Sequence, residues 1–255
     1  MKFLVLGDTH GNLADVDRAC RYATKNNVDH ILQVGDWGFL NRGIEHMESL
    51  HQTLNGYAMT MSWLDGNHEN FGLMEYLGIR TDGDEPQTCT SRITYLPRGY
   101  AWEVDGVGFM SFGGASSVNR PSLTAGSSWF PEELIRISDI ERAATNAETQ
   151  RVDVLFAHDA PSSKRLVNHL DQSKGFWAAT ELNVSAQNRL MLEEVIEAVQ
   201  PFIVIHGHYH WGYNAMWNDK AILGLDKSSN MNSMSILDTE KLTEEYKSIR
   251  EACSE

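Results

Sequence analysis

Short apolar runs alternate with helical patterns through the first half of the chain, and each run ends in a polar loop. Lys2 to Leu6 reads as a buried strand followed by the loop GDTHGN, and from Leu13 to Ala23 the apolar residues Leu13, Val16, Ala19, Cys20 and Ala23 recur at helical spacing. His30 to Val34 is a second strand ending at GDWG, Ile44 to Leu54 a helix, and Ala58 to Trp63 a third strand ending at GNHE. This rhythm predicts βαβ units, with a sheet covered by helices.

The middle is β-rich. Asp82 to Ser91 is polar and turn-rich, and Ile93 to Gly114 reads as two short strands around a turn at Asp105 and Gly106. Asn119 to Phe130 is a loop, and Ser138 to Glu141 carries the S-x-x-E pattern of a capping box at a helix start. Arg151 to Ala157 is a strand running into His158, Leu166 to Val184 is polar and loop-like, and Ser185 to Val199 is helical. Phe202 to Ile205 is a strand running into HGHYH, and short strands around Tyr213 to Trp217, Ala221 to Leu225 and Ser233 to Leu237 close the fold. No internal repeat, low-complexity tract or linker interrupts the pattern. Residues 1–255 are therefore expected to form a single domain, with the tail 239–255 as a surface helix.

Composition narrows the partners. The 255 residues are 42% hydrophobic, enough to cover sizeable sheets, and 21 basic against 35 acidic side chains leave a net charge of −14. Such a charge repels duplex nucleic acid, whereas a small phosphate ester drawn to bound cations is compatible with it. The opening MKFLVLGDTH has an apolar run too short for a signal peptide or a membrane span. Cys20, Cys89 and Cys253 are too widely spaced for a CxxC zinc site and too few for a disulfide framework. The expected compartment is the cytoplasm (the host's, if the chain is phage-encoded), with no membrane partner and an oligomeric state that the sequence leaves open.

The chemistry lies at the strand ends, where open α/β sheets bind ligands. Asp8 and His10 stand two apart in a segment read as extended, so both side chains point the same way; His208 and His210 repeat this spacing. Asp36 offers a carboxylate able to bridge two cations about 3.5 to 4 Å apart, Asn67 adds an amide oxygen and His158 another imidazole. A set of nitrogen and oxygen donors without thiolate favours Mn, Fe, Zn, Ni or Co.

GDTHG, GDWG, GNHE, HD and GHYH, in this order, resemble the five-block signature of calcineurin-like metallophosphoesterases, and the likeness runs to about residue 217. GGASSVNRPSLTAGSSWFPEE also resembles a segment of phage and bacterial members. The resemblance implies an α/β (α+β) fold, a four-layer α-β-β-α sandwich of two mixed sheets flanked by helices. It implies one divalent transition-metal ion, manganese first among the candidates, on Asp8, His10, Asp36 and His210, and a second on Asp36, Asn67, His158 and His208. A hydroxide bridging the two would attack the phosphate, and His68 would protonate the leaving oxygen. Asn67, Arg42 and Arg120 are the candidate substrate contacts. In the protein-phosphatase branch GDxxDRG supplies an Asp that orients this His; here the stretch reads GDWGFLNRG, placing Asn41 where that Asp is expected. Asp65 is another candidate partner for His68, against a plain surface role.

Some residues read more simply as structure. His206 is expected to be a strand-end hydrogen bonder, Asp159 and Glu69 caps or supports of ligands, and the tryptophans packing residues, with Trp37 and Trp211 the two placed to touch a base or ring. The leading function is a phosphodiesterase acting on small, including cyclic, nucleotides. A phosphomonoesterase or Ser/Thr protein phosphatase is the alternative, and a non-catalytic scaffold of the same fold the third reading.

Overall fold

The structure is a computed structural model and describes residues 1–243. Its strands are β1 (Lys2–Leu6), β2 (His30–Gln33), β3 (Thr60–Trp63), β4 (Gln87–Thr90), β5 (Ile93–Tyr95), β6 (Tyr100–Val104), β7 (Val107–Phe112), β8 (Val154–Ala157), β9 (Ile203–His206), β10 (Tyr213–Trp217), β11 (Lys220–Gly224) and β12 (Met234–Asp238). The helices are α1 (Leu13–Lys25), α2 (Ile44–Gly56), α3 (Phe71–Tyr76), α4 (Ile137–Thr149), α5 (Lys164–Asp171) and α6 (Ala179–Val199).

Two mixed sheets of six strands each face one another, in the orders β12-β1-β2-β3-β5-β4 and β10-β11-β9-β8-β7-β6. In each, four parallel strands are flanked by antiparallel ones: β12 and β4 on the first, β10 and β6 on the second. Strand β1 shows why the apolar runs are unbroken. Phe3 and Val5 point into the layer between the sheets, with Leu32, Phe109, Val154 and Phe156. Leu4 and Leu6 point the other way and pack with Val16, Cys20, Leu50 and Leu54 of α1 and α2. A strand covered on both faces has no solvent side to mark with polar residues. The outer face of the second sheet is closed by α4 and α6 through Ala143, Leu192, Val195 and Ile196. The expected four layers are present.

Several local expectations are corrected. The turn-rich stretch 82–91 contains β4, and residues 93–114 hold three strands, β5, β6 and β7, although the turn at Asp105 and Gly106 stands as expected. Leu166 to Val184 is largely helical: Ser163 caps α5 by accepting the Leu166 N–H at 3.3 Å, and α6 begins at Ala179. The helix expected to start at Ser138 starts at Ile137, with Arg136 as N-cap, because the Asp139 carboxylate accepts the Arg136 N–H at 3.0 Å. Residues 239–243 are helical, and the rest of the expected tail helix lies outside the described residues. Among the described residues no helix is long and apolar enough to cross a membrane.

Candidate metal centre

The carboxyl ends of β1, β2, β3, β8 and β9 converge at one edge of the sandwich. The first two loops are stitched together: Thr9 and His10 both donate their N–H groups to the Asp36 carbonyl at 3.1 and 2.8 Å, and Gly11 donates to Trp37 O at 2.8 Å. Glu69 accepts the N–H groups of Trp37 and Gly38 at 2.6 and 3.0 Å, fixing the loop behind Asp36. The expected extended i, i+2 geometry is replaced by turns. His10, Asp36, His208 and His210 have φ of +46°, +52°, +70° and +49°, a left-handed conformation that costs about 1 to 2 kcal/mol per non-glycine residue.

The turns bring the predicted ligands into two groups that share Asp36. Asp8, His10, Asp36 and His210 form one and Asp36, His158 and His208 the other, each with ligand atoms within 4.8 Å of one another. In the first, His210 Nε2 stands 3.1 Å from Asp8 Oδ2 and 2.9 Å from His10 Nε2, and His10 Nε2 lies 3.9 Å from Asp36 Oδ2. In the second, His158 Nε2 faces Asp36 Oδ1 at 3.3 Å and Asn67 Oδ1 at 3.2 Å. His158 Nδ1 must donate to the Val34 carbonyl at 2.8 Å, which turns Nε2 towards the two oxygens. Each carboxylate is braced by a backbone donor: His208 N–H reaches Asp8 Oδ1 at 3.0 Å, and His68 N–H reaches Asp36 Oδ1 at 2.8 Å. Packing is tight enough that a Cβ on Gly66 would overlap Asp36 and one on Gly207 would overlap Asp8.

The electrostatics suit cations. Burial works against the charge of Asp36, yet the facing His158 and His68 hold its carboxyl well below the usual range; Asp8, equally buried, is lowered by His210 and His158. Burial depresses His10 and His208, keeping their imidazoles neutral and able to ligate. His158 is pushed up to about 10: burial opposes its charge, but Asp36 and Asp8 draw a proton onto it. Converging carboxylates, imidazole lone pairs and an amide oxygen form a donor set short of positive charge. That set fits two divalent ions with nitrogen and oxygen preference.

Two supports had no separate signal in the sequence. Asn67 Nδ2 donates to Ser117 Oγ at 3.0 Å, and Ser117 in turn donates to Glu133 Oε2 at 2.8 Å, so the Asn67 amide oxygen is turned to the centre. Both lie within the stretch that resembles phage and bacterial members, but nothing local ties them to Asn67.

The remaining candidates divide. The His68 ring lies 5.7 Å from that of His10, centroid to centroid. Asn41 donates to the His68 carbonyl at 2.7 Å, so it fixes the backbone and not the ring. Asp65 is neither His68's partner nor a surface residue: it is fully buried, accepting from Tyr95 at 2.6 Å and from Arg98 at 2.6 and 3.0 Å. Arg42 lines a polar cavity of about 510 Å³ with Asp8, His10 and Lys227. Arg120 lies over the Trp129 ring at 4.5 Å and pairs with Glu181 at 3.8 Å, contacts that tie its loop to α6. His206 hydrogen-bonds Tyr213 OH at 2.9 Å, and Asp159 accepts Asn188 Nδ2 at 2.7 Å, both structural as expected. Trp37 cannot touch a base, being fully buried and stacked on Trp63 at 4.3 Å; the ring of Trp211 stacks on His169 and Tyr213 at 4.1 and 4.6 Å.

The sequence profile described as calcineurin-like phosphoesterase matches residues 1–223. Among solved structures, the chain resembles a protein of Thermus thermophilus with TM-score 0.56 and 11% identity, covering 93% of this chain and 98% of that one. It also resembles a dimetal phosphatase from Danio rerio with TM-score 0.54 and 11% identity, over 92% and 91% of the two chains. At such identities the likeness concerns the fold. No curated protein sequence matches the chain.

Proposed function

This chain belongs to the calcineurin-like phosphoesterase family, a family of metal-dependent phosphoric ester hydrolases, and we propose that it hydrolyses small nucleotide phosphodiesters, cyclic ones included. The observation that carries the reading is the convergence of two candidate ligand groups on the shared carboxylate of Asp36. Asp8, His10, Asp36 and His210 would hold one divalent cation and Asp36, Asn67, His158 and His208 the other, with manganese the first choice. Such a pair supplies an acidified water and neutralises phosphoryl oxygens. The protein's own part is positional. Asp8 and Asp36, braced by the backbone of His208 and His68, fix the spacing, and Ser117 aims Asn67. His68 is held at the rim beside His10 and delivers a proton to the leaving oxygen, a step worth about a hundredfold or more.

The preference for diesters rests on the loop after Asp36, where Asn41 is spent on the His68 carbonyl instead of its ring. A second reading, a phosphomonoesterase, is favoured by Arg42 and Lys227 in the polar cavity, two cations suited to a dianionic phosphate. Free thiols at Cys20 and Cys89 support a cytoplasmic setting. Small esters, and not duplex nucleic acid, are the proposed partners.

The test compares manganese-loaded and chelated protein on bis-p-nitrophenyl phosphate and p-nitrophenyl phosphate. Diester turnover no better than monoester turnover sinks the preference. Full activity in Asp36→Asn or His68→Ala sinks the mechanism.

A further inference from the structure

A second cavity, of about 470 Å³, opens between α5, α6 and the segment around Val118. It borders the metal centre, because His208, a member of the second ligand group, is part of its wall. Its character differs from the polar cavity beside Asp8. Val118, Leu170 and Leu182 give it apolar walls, Tyr209 contributes a ring beside His208, and Trp177, 41% exposed, contributes an indole. Arg189 also lines it. Its guanidinium holds Ser185 Oγ at 2.9 Å and hydrogen-bonds Tyr209, so it braces the wall from behind.

Resting on the phosphoesterase reading, we infer that this cavity receives an organic group of the ester, and that Trp177 and the apolar walls select a flat, mostly apolar ring. The volume falls in the range of pockets for small ligands, about 300 to 1,000 Å³, and far exceeds what phosphate alone needs. Apolar walls and an indole reward a ring in a way that Arg42, Lys227 and Asp15 of the polar cavity do not. The two cavities thus divide the substrate, the charged part towards Asp8 and the ring towards α6.

The test is calorimetric. Manganese-loaded protein is titrated with phenylphosphonate and with methylphosphonate, and the wild type binds the phenyl compound tighter by about tenfold, the worth of a partly buried ring. Ala186→Trp, which fills the cavity, and Trp177→Ala, which removes a wall at an exposed position, each reduce that ratio to about threefold or less. An unchanged ratio in Trp177→Ala and in folded Ala186→Trp, or no phenyl preference in the wild type, overturns the assignment. Turnover of bis-p-nitrophenyl phosphate, followed in parallel, separates the two ideas. Turnover with an unaltered ratio removes the cavity alone, and a lost ratio without turnover upholds the cavity and removes the hydrolase.

Discussion

Replacing Arg98 by Met should be strongly destabilising although Arg98 lies outside the metal centre. Arg98 is fully buried and places its guanidinium between two buried carboxylates. Nε and one terminal nitrogen reach Asp65 Oδ2 at 3.0 and 2.6 Å, and the other reaches Asp139 Oδ2 at 2.9 Å; the carbonyls of Leu134 and Glu132 accept at 2.7 and 2.8 Å. Methionine fills much of the volume but leaves the charges. Asp139 keeps Arg142 at 2.9 Å and the Arg136 N–H, so it is partly compensated. Asp65 keeps the Tyr95 hydroxyl. Breaking a buried pair on one side costs about 3 to 5 kcal/mol, and the surviving partners of Asp139 place this case near the lower end, at about 3 to 4 kcal/mol. With a urea slope of about 3 kcal/mol/M, the midpoint of chelated protein should fall by about 1 M. The double variant Asp65→Asn/Arg98→Met should recover part of the loss, because an uncompensated charge costs more than an absent pair. A midpoint for Arg98→Met within about 0.3 M of wild type, or a double variant less stable than the single, would refute the reasoning. The change should also reach the centre. Arg98 anchors the 132–134 backbone that carries Glu133, which holds Ser117 and through it Asn67, so calorimetric manganese binding should also weaken.

Ser117→Ala removes the acceptor for Asn67 Nδ2 and the donor to Glu133 Oε2, and should weaken manganese binding about tenfold or more by calorimetry while lowering stability by about 1 to 3 kcal/mol; unaltered affinity would show that Asn67 needs no orientation. Gly207→Ala should abolish that binding, because the new Cβ overlaps the Asp8 carboxylate, whereas Gly56→Ala, in open space at the end of α2, should stabilise the protein by up to about 1 kcal/mol in urea. His30 carries a pH dependence. Burial lowers it to about 4, below its unfolded value near 6.5, so its stability contribution is full above about pH 6.5 and is lost as pH falls towards 4. From pH 7.5 to 5 metal-free wild type should lose up to about 2 kcal/mol more than His30→Gln; equal losses would contradict the assignment.

What the sequence made legible was what is local. The parallel strands read clearly because burial on both faces leaves uninterrupted apolar runs, as Phe3 to Leu6 shows. The candidate ligands read clearly because each sits in a short polar block at a strand's end. Helix α5 escapes the pattern because KRLVNHLD is short and mostly polar, with one buried apolar residue, Leu166. The first turns of α6, ATELNV, carry no apolar stripe either. The left-handed turns at His10 and His208 look extended in the sequence, since spacing alone does not separate the two conformations. Ser117, Glu133 and the Asp65–Arg98–Asp139 cluster act across dozens of residues, and local patterns carry no record of such partners.

Strand β12 pairs with β1 along its whole length, Lys2 opposite Asp238 through Leu6 opposite Met234. A ribosome releases the first strand of this sheet long before its neighbour: at about 5 to 20 residues per second, the interval is on the order of 10 to 50 seconds. Through that interval β1 has β2 on one side and a bare edge on the other, open to pairing with another nascent chain. His208 and His210 emerge late as well, so cations captured early by Asp8 and His10 would meet an unfinished cage. Vectorial synthesis therefore makes β12 the latch of the sheet, and leaves the set of candidate ligands incomplete until the loop after β9 has emerged.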